Sequence, residues 1–338
     1  MADEAASARP SIPPQSQMLD ILLGLFKNRA LTVAVELELA DHLASGPLHV
    51  DELAKRAKAD ASSVFRLLRA LETIGVFQQV SPRVFANTAM SEAFRKDVPG
   101  SMRAMILDFA PGGGQFEAWA RLFDSVKTGQ IAFDRIYGCS FWEFLKRNPD
   151  RAANFNQAMS SSRARLATAT AKAYDWSRFP VIADIGGGIG GQLVAILDAH
   201  PSCRGILFDL PEGAAGYVPH ERIEVVTGNF FESVPANADA YILRTIVHDW
   251  PDEQAVKILK TVRRGAKPQG RVMLIEMLVP ETSEPMMSKW LDLHMLVVAG
   301  GKERTTSEFR ELLAAAGFEL EQVVTVATGH GLIVGRPV

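Results

Sequence analysis

The run Asp184-Ile185-Gly186-Gly187-Gly188-Ile189-Gly190-Gly191 constrains this chain more than any other segment. It follows the short apolar stretch Val181–Ile185 and precedes the helical stretch Leu193–Ala199. Glycines between a strand and a helix permit a sharp turn and a close approach of backbone to ligand. Gly186, Gly188 and Gly191 also fit the spacing GxGxxG, and Asp209 ends the next strand candidate, Ile206–Asp209. An acidic residue at that place accepts hydrogen bonds from ribose hydroxyls. These features indicate a nucleoside-bearing cofactor. They do not by themselves separate NAD from S-adenosylmethionine.

The same rhythm continues downstream. Ile223–Thr227, Ala238–Leu243 and Val272–Glu276 read as strands, and Glu253–Arg264 between the last two carries Val256, Leu259 and Lys260 at helical spacing. Alternation of this kind predicts a doubly wound, Rossmann-like α/β sheet. Thr306 is expected to cap a helix over Ser307–Ala316, which Gly317 ends. Gln322–Ala327 and Gly331–Gly335 close the chain as two strands joined at Thr328-Gly329-His330.

The N-terminal part reads differently. Residues 1–16 are polar and hold Pro10, Pro13 and Pro14, so a disordered tail is expected. Met18–Leu43 is helical in pattern, with Met18, Leu22, Leu25 and Phe26 on one face. A helix fits Val50–Ala57. Asp60 caps another that places Val64, Leu67, Leu68 and Leu71 on one stripe, and strand-like pieces Gly75–Val80 and Arg83–Ala86 follow. Short helices followed by a hairpin outline a winged helix. Between Pro47 and Glu72 five basic residues face four acidic ones, too small a surplus for the positive field a DNA-reading helix needs. A dimerisation module over 17–105 is the better expectation. The remainder, 106–338, is expected to be the cofactor-binding domain, with a helical substrate-pocket segment over 106–175. Ten aromatic residues lie between Phe109 and Phe155; most should be core, and the excess suits a wall for a flat apolar ligand.

Charge and cysteine usage narrow the class. A net charge of -3 over 338 residues excludes a generally basic nucleic-acid binder. Two cysteines, Cys139 and Cys203, cannot build a disulfide framework or a cysteine-rich zinc module. There is no signal-like leader and no long apolar run, so a cytoplasmic protein without a membrane span is expected.

The discriminating segment is Arg244-Thr245-Ile246-Val247-His248-Asp249-Trp250, at the carboxyl edge of strand Ala238–Leu243. That edge faces the ligand crevice of an open sheet, which brings His248 beside the cofactor. Glu276, ending the next strand, and Glu303 in Gly300-Gly301-Lys302-Glu303-Arg304-Thr305 are candidate carboxylate partners. A histidine oriented by carboxylates is a general-base arrangement.

With these motifs in place the chain resembles the S-adenosylmethionine-dependent O-methyltransferases of the plant caffeate/flavonoid and hydroxyindole (acetylserotonin) type, in a bacterial-like form. The resemblance runs from about Met18 to the end. It rests on Asp184 to Gly188, Phe208-Asp209-Leu210-Pro211, Gly228-Asn229-Phe230-Phe231, His248-Asp249-Trp250 and Gly300 to Thr305. It implies an N-terminal winged-helix domain that forms a homodimer and does not bind DNA. It implies that Asp184, Gly186 and Gly188 line the cofactor, that Asp209 holds the ribose, and that Leu210, Asn229 and Phe230 contact the adenine. Arg244 stands where many members have lysine, and many have Asp at Asn229. It further implies His248 as base flanked by Glu276 and Glu303, and Phe155, Met159 and Met295 near the acceptor, with the Asp292–Gly300 spacing of the bacterial and hydroxyindole types.

The chemistry expected is methyl transfer to a hydroxylated aromatic small molecule. An ordinary phenol has a pKa of about 10, so full ionisation at neutral pH costs ~4 kcal/mol. A positioned histidine can take that proton, and no metal is expected. N-methylation or a non-methylating reaction on the same cofactor site, an NAD-dependent oxidoreductase and a winged-helix regulator remain as alternatives.

Overall fold

The computed structural model describes residues 13–327 and 329–338, the side chains of 160–162 excepted. The chain divides into two compact units between Gly113 and Gly114. Most of the expected tail, residues 1–12, lies outside the described part. Where it is described, the expectation is corrected: helix α1 runs Pro14–Glu36, with Pro13 as its N-cap. Proline is accommodated in the first helical turn because the N–H it lacks would have no intrahelical partner there.

In the first unit α1 is followed by α2 (Leu39–His42), β1 (Leu48–His49), α3 (Val50–Arg56), α4 (Ala61–Glu72), β2 (Phe77–Ser81), β3 (Val84–Asn87), α5 (Ala89–Glu92) and α6 (Arg103–Asp108). The helix expected through Leu43 breaks at Glu38, whose φ of 56° lies in the left-handed region. Asp60 caps α4, accepting from the Ser63 N–H at 2.8 Å. The three strands order β1-β3-β2, completing a winged helix whose core holds Leu53, Val64, Leu68, Leu71, Phe77 and Phe85. The two-residue β1 is too short to announce itself by alternation. Along α1, Met18, Ile21, Leu22, Leu25 and Phe26 are exposed.

The second unit begins with five helices: α7 (Gln115–Trp119), α8 (Leu122–Thr128), α9 (Ala132–Tyr137), α10 (Phe141–Arg147) and α11 (Pro149–Ala173). The sheet region follows, as β4 (Val181–Ile185), α12 (Gly191–Ala199), β5 (Arg204–Asp209), α13 (Pro211–Ala214), β6 (Ile223–Thr227), β7 (Ala240–Arg244), α14 (Asp252–Gly265), β8 (Arg271–Met277), α15 (Met287–Val298), α16 (Thr306–Ala315), β9 (Phe318–Ala327) and β10 (His330–Pro337). Strand order is β6-β5-β4-β7-β8-β10-β9, with β10 antiparallel to both neighbours and the others parallel. Thr305 is the cap of α16, not Thr306: its hydroxyl accepts from Glu308 N, and the Glu308 carboxylate accepts from Thr305 N.

Side chains alternate along each inner strand, as a period of two requires. Ile182, Ala240, Ile242, Met273 and Ile275 enter one core, and Ala183, Ile185, Tyr241, Leu243, Val272 and Leu274 enter the other. Both faces are therefore covered, the usual condition for a parallel sheet. The order reverses between β4 and β7, so the crevice of this sheet opens at their carboxyl ends. Those ends are the glycine run and the loop that carries His248.

Candidate active site

The two loops meet at the crevice. Gly186 has φ +69°, and a Cβ there would stand 2.6 Å from Ile246 Cδ1 on the β7 loop. Gly188 also has positive φ, +57°, and faces open space. Its N–H donates to Asp209 Oδ2 at 2.7 Å, while Leu210 N donates to Oδ1 at 2.7 Å. Each Asp209 oxygen keeps lone-pair capacity for a further donor. Leu210 is exposed beside it.

Asp184 lies buried beneath this loop, and its Oδ2 has no hydrogen-bond partner among the described residues. Burial pushes its carboxyl up to about 6; the nearby Arg244 guanidinium pulls the other way, and Asp209 adds to the rise. Arg244 donates to the Arg163 carbonyl at 3.2 Å and to Gln192 Oε1 at 3.3 Å. Asn229 is engaged in its own turn, accepting from Phe231 N at 3.0 Å and donating to Glu232 at 3.1 Å. Phe230 sits edge-on to Trp250, with ring centroids 6.2 Å apart.

His248 lies in a 3-10 turn, Val247–Asp249, directly after β7. Its Nδ1 is 2.9 Å from Glu303 Oε1, and its Nε2 is 3.3 Å from Asp249 Oδ1. Glu276 is arranged differently from Glu303. Its Oε1 accepts from Ile246 N at 3.2 Å and Val247 N at 2.9 Å, so it holds the turn and reaches the ring through charge. The second carboxylate oxygens of Glu276 and Glu303 are buried without a partner among the described residues.

Burial by itself would disfavour a charged ring. The negative charges of Asp249, Glu276 and Glu303 outweigh it and push His248 up to about 10. The carboxyls respond in turn: burial raises Glu276 to about 7 and Asp249 to about 6, with His248 opposing both shifts. Such groups titrate as a cluster. The loops carrying them approach closely. Lys302 N donates to the His248 carbonyl at 2.8 Å, Glu303 N donates to Asp292 Oδ1 at 3.0 Å, and a Cβ on Gly301 would lie 2.0 Å from His248 O.

The aromatic segment is mainly core, as expected. Phe133 contacts Tyr137, Phe141 and Phe144, while Phe155 stands edge-on to Phe141 at 5.3 Å and to Trp142 at 6.1 Å. Met159 is half-buried on α11, and Met295 is buried on α15. Among the described residues, neither methionine hydrogen-bonds to His248, Asp249, Glu276 or Glu303.

Sequence reasoning gave no role to three further groups. Asp249 lay inside a quoted motif. Arg163 acts by charge on Asp249. Trp119 donates its indole N–H to His294 Nδ1 at 2.9 Å, and burial lowers His294 to about 4, so that ring is neutral with its proton on Nε2.

A family model described as an O-methyltransferase domain matches residues 119–319, and one described as an O-methyltransferase dimerisation domain matches residues 19–97. The chain belongs to the O-methyltransferase family. It is 39% identical over 335 residues to a phenazine O-methyltransferase of Lysobacter antibioticus, covering 97% of this chain and 98% of the relative. It is 32% identical over 326 residues to a phenazine-1-carboxylate N-methyltransferase of Pseudomonas aeruginosa, covering 94% and 96%. The crystal structure of human N-acetylserotonin methyltransferase in complex with S-adenosylmethionine matches with a TM-score of 0.84 at 27% identity, covering 98% of this chain and 99% of that one. The expectations of a methyltransferase and of S-adenosylmethionine as its cofactor stand with that membership, and the NAD-dependent alternative falls.

The residues present fit that cofactor. Gly188 leaves room, Asp209 retains acceptor capacity, and the unpartnered oxygen of Asp184 offers negative charge to a cationic ligand. The closest loop contact gives a direct check. Gly301→Ala forces the His248 turn from the Glu303 loop, and a displacement near 1 Å costs on the order of 10²-fold in rate. We expect methyl transfer per folded molecule to fall by about that factor while S-adenosylhomocysteine binding, measured by calorimetry, is retained.

Proposed function

We propose that the chain transfers a methyl group to an aromatic hydroxyl, with His248 as the base. The observation that carries this reading is the His248 ring held by Glu303 and Asp249 at the edge of the cofactor crevice. Asp209 would bind the ribose, and Asp184, Gly186 and Gly188 the remainder of the nucleoside and amino-acid portions, with Leu210, Asn229 and Phe230 at the adenine. S-adenosylmethionine supplies an electrophilic methyl on a sulfonium. The chain's own task is to present an oxygen nucleophile, and a histidine base needs no metal for that.

A ring near 10 holds a proton about as tightly as an ordinary phenol, itself about 10. At neutral pH the free ring is charged. When the acceptor binds, the hydroxyl and the ring together release one proton. The proton that stays is shared between two groups of similar affinity, and whenever it sits on the ring the acceptor oxygen is ionised beside a positive charge. Glu303 fixes Nδ1, which leaves Nε2 to face the acceptor once Asp249 yields. Phe155, Met159 and Met295 would shape the apolar wall. Positioning in a dry pocket completes the catalysis.

A second reading, N-methylation, is favoured by the relatedness to the Pseudomonas N-methyltransferase. A nitrogen acceptor of low basicity needs no deprotonation before attack, so His248 would matter little. The winged-helix unit serves as a homodimer interface in this reading, through the exposed apolar face of α1, and not as a DNA reader. No described helix is long and apolar enough to cross a membrane, and we place the enzyme in the cytoplasm.

A screen of hydroxylated aromatics with labelled cofactor should give methyl ethers. His248→Ala should then slow transfer by roughly 10²–10⁴-fold with S-adenosylhomocysteine affinity retained. A loss under threefold would move the reading to N-methylation or to proximity alone. For the parent, kcat/KM for the acceptor should rise with pH through the neutral range. Glu276→Gln removes an anion that favours the charged ring, so this rise should shift to lower pH. Sedimentation at micromolar concentration should give twice the 36.9 kDa chain mass; a monomer would contradict the dimer.

A further inference from the structure

The base and its carboxylate partner are 55 residues apart in sequence. They sit on loops with little regular structure, so something must fix their separation. One side chain touches both loops. Arg304 is 1% exposed, and each N–H of its guanidinium has a contact. Nη1 donates to the Val247 carbonyl at 3.1 Å and to the Lys302 carbonyl at 3.2 Å. Nη2 donates to the Trp250 carbonyl at 2.8 Å and to Asp252 Oδ1 at 2.8 Å, and Nε donates to the same oxygen at 3.0 Å. The bonds to Val247 and Trp250 bracket His248, and the bond to Lys302 adjoins Glu303. The Arg304 backbone is anchored as well, its carbonyl accepting from Val279 N at 3.0 Å, just beyond the strand that carries Glu276.

We propose that Arg304 is a positioning residue for the reaction: its guanidinium ties the turn carrying His248 to the loop carrying Glu303 and so sets the contact between ring and carboxylate. The role assigned here rests on the reading of His248 as base. A planar fork of five donors suits this task, because it addresses carbonyls on two backbones at once; a lysine has three donors at a single point. Asp252 supplies the counter-charge that a buried guanidinium needs.

Arg304→Lys keeps the charge and loses the fork. Its stability, its S-adenosylhomocysteine affinity, kcat and the pH dependence of kcat/KM should be measured together with the ring ¹⁵N shifts of His248 in the full chain. Asp249 and Glu303 contact that ring and Glu276 acts on it through charge, with Arg163 beyond Asp249 and His294 beyond Glu303. Of these only the Glu303 contact should loosen. We expect kcat to fall at least about tenfold, product affinity to stay within about twofold, and the pH-dependent rise to move to lower pH. The ¹⁵N shifts should report the weakened Nδ1 contact without any acceptor present.

Asp252→Asn leaves the carbonyl bonds possible and should show a smaller displacement of the same sign; it decides the matter if Arg304→Lys does not fold. Unchanged ring shifts and an unchanged pH profile in a folded variant would overturn the proposal, whatever its stability. If the parent methylates no phenol and yet the ring shifts move, the tie between the two loops stands, while the hydroxyl reading, and with it the role in that reaction, falls.

Discussion

A protonatable ring, mostly but not wholly out of water and set among three carboxylates, is the demand around which the crevice of this protein is organised. Taking one imidazole and three acids out of water is costly unless each charge is answered by a neighbour or a proton. Here the answers are mutual. Asp249 and Glu303 stand at the two ring nitrogens, and Glu276 receives two backbone N–H groups of the turn itself. Two of the negative charges that make the ring strongly basic, those of Asp249 and Glu276, are themselves pushed toward neutrality by burial. The cluster is thus poised to give up or take a proton when a new group enters, and that is the event a hydroxyl acceptor presents.

The sheet supplies the place. Strand order reverses between β4 and β7, and the first strand delivers the glycine loop while the second delivers His248. Gly186 lets these loops touch, and Gly301 lets the Glu303 loop reach the His248 carbonyl. Fold topology in this way brings the glycine loop and the His248 turn together. Electrostatics and steric closeness therefore act at one point of the crevice.

What could be read from the sequence was local or periodic. Short apolar runs alternating with helical stretches marked β4, β5, β7 and β8, because both faces of each strand feed a core. The glycine run marked its own turn, and His248 was visible because it follows a strand whose edge had to face the crevice. Glu303 was found through its motif. Asp249 was missed because neighbours along a strand point to opposite faces, and only the 3-10 turn brings its carboxylate back to the ring. The Trp119–His294 bond joins residues 175 apart, and Arg304 acts on carbonyls that carry no signature in sequence. The break at Glu38 depends on a single backbone angle, which adjacent residues do not fix, whereas the cap at Thr305 was legible in the pair Thr305-x-x-Glu308 and was passed over for Thr306. Asn229 was read as a ligand contact, and its amide also closes its own turn, a competition that composition does not reveal.

The central claim is that the carboxylates make His248 a strong base. Site-resolved NMR titration of the ring in the ligand-free parent tests this most directly. The account predicts that His248 stays protonated well past neutral pH, with a midpoint far above the ordinary histidine value of about 6.5. A midpoint at or below that ordinary value, with Glu303 and Asp249 in place, would contradict it.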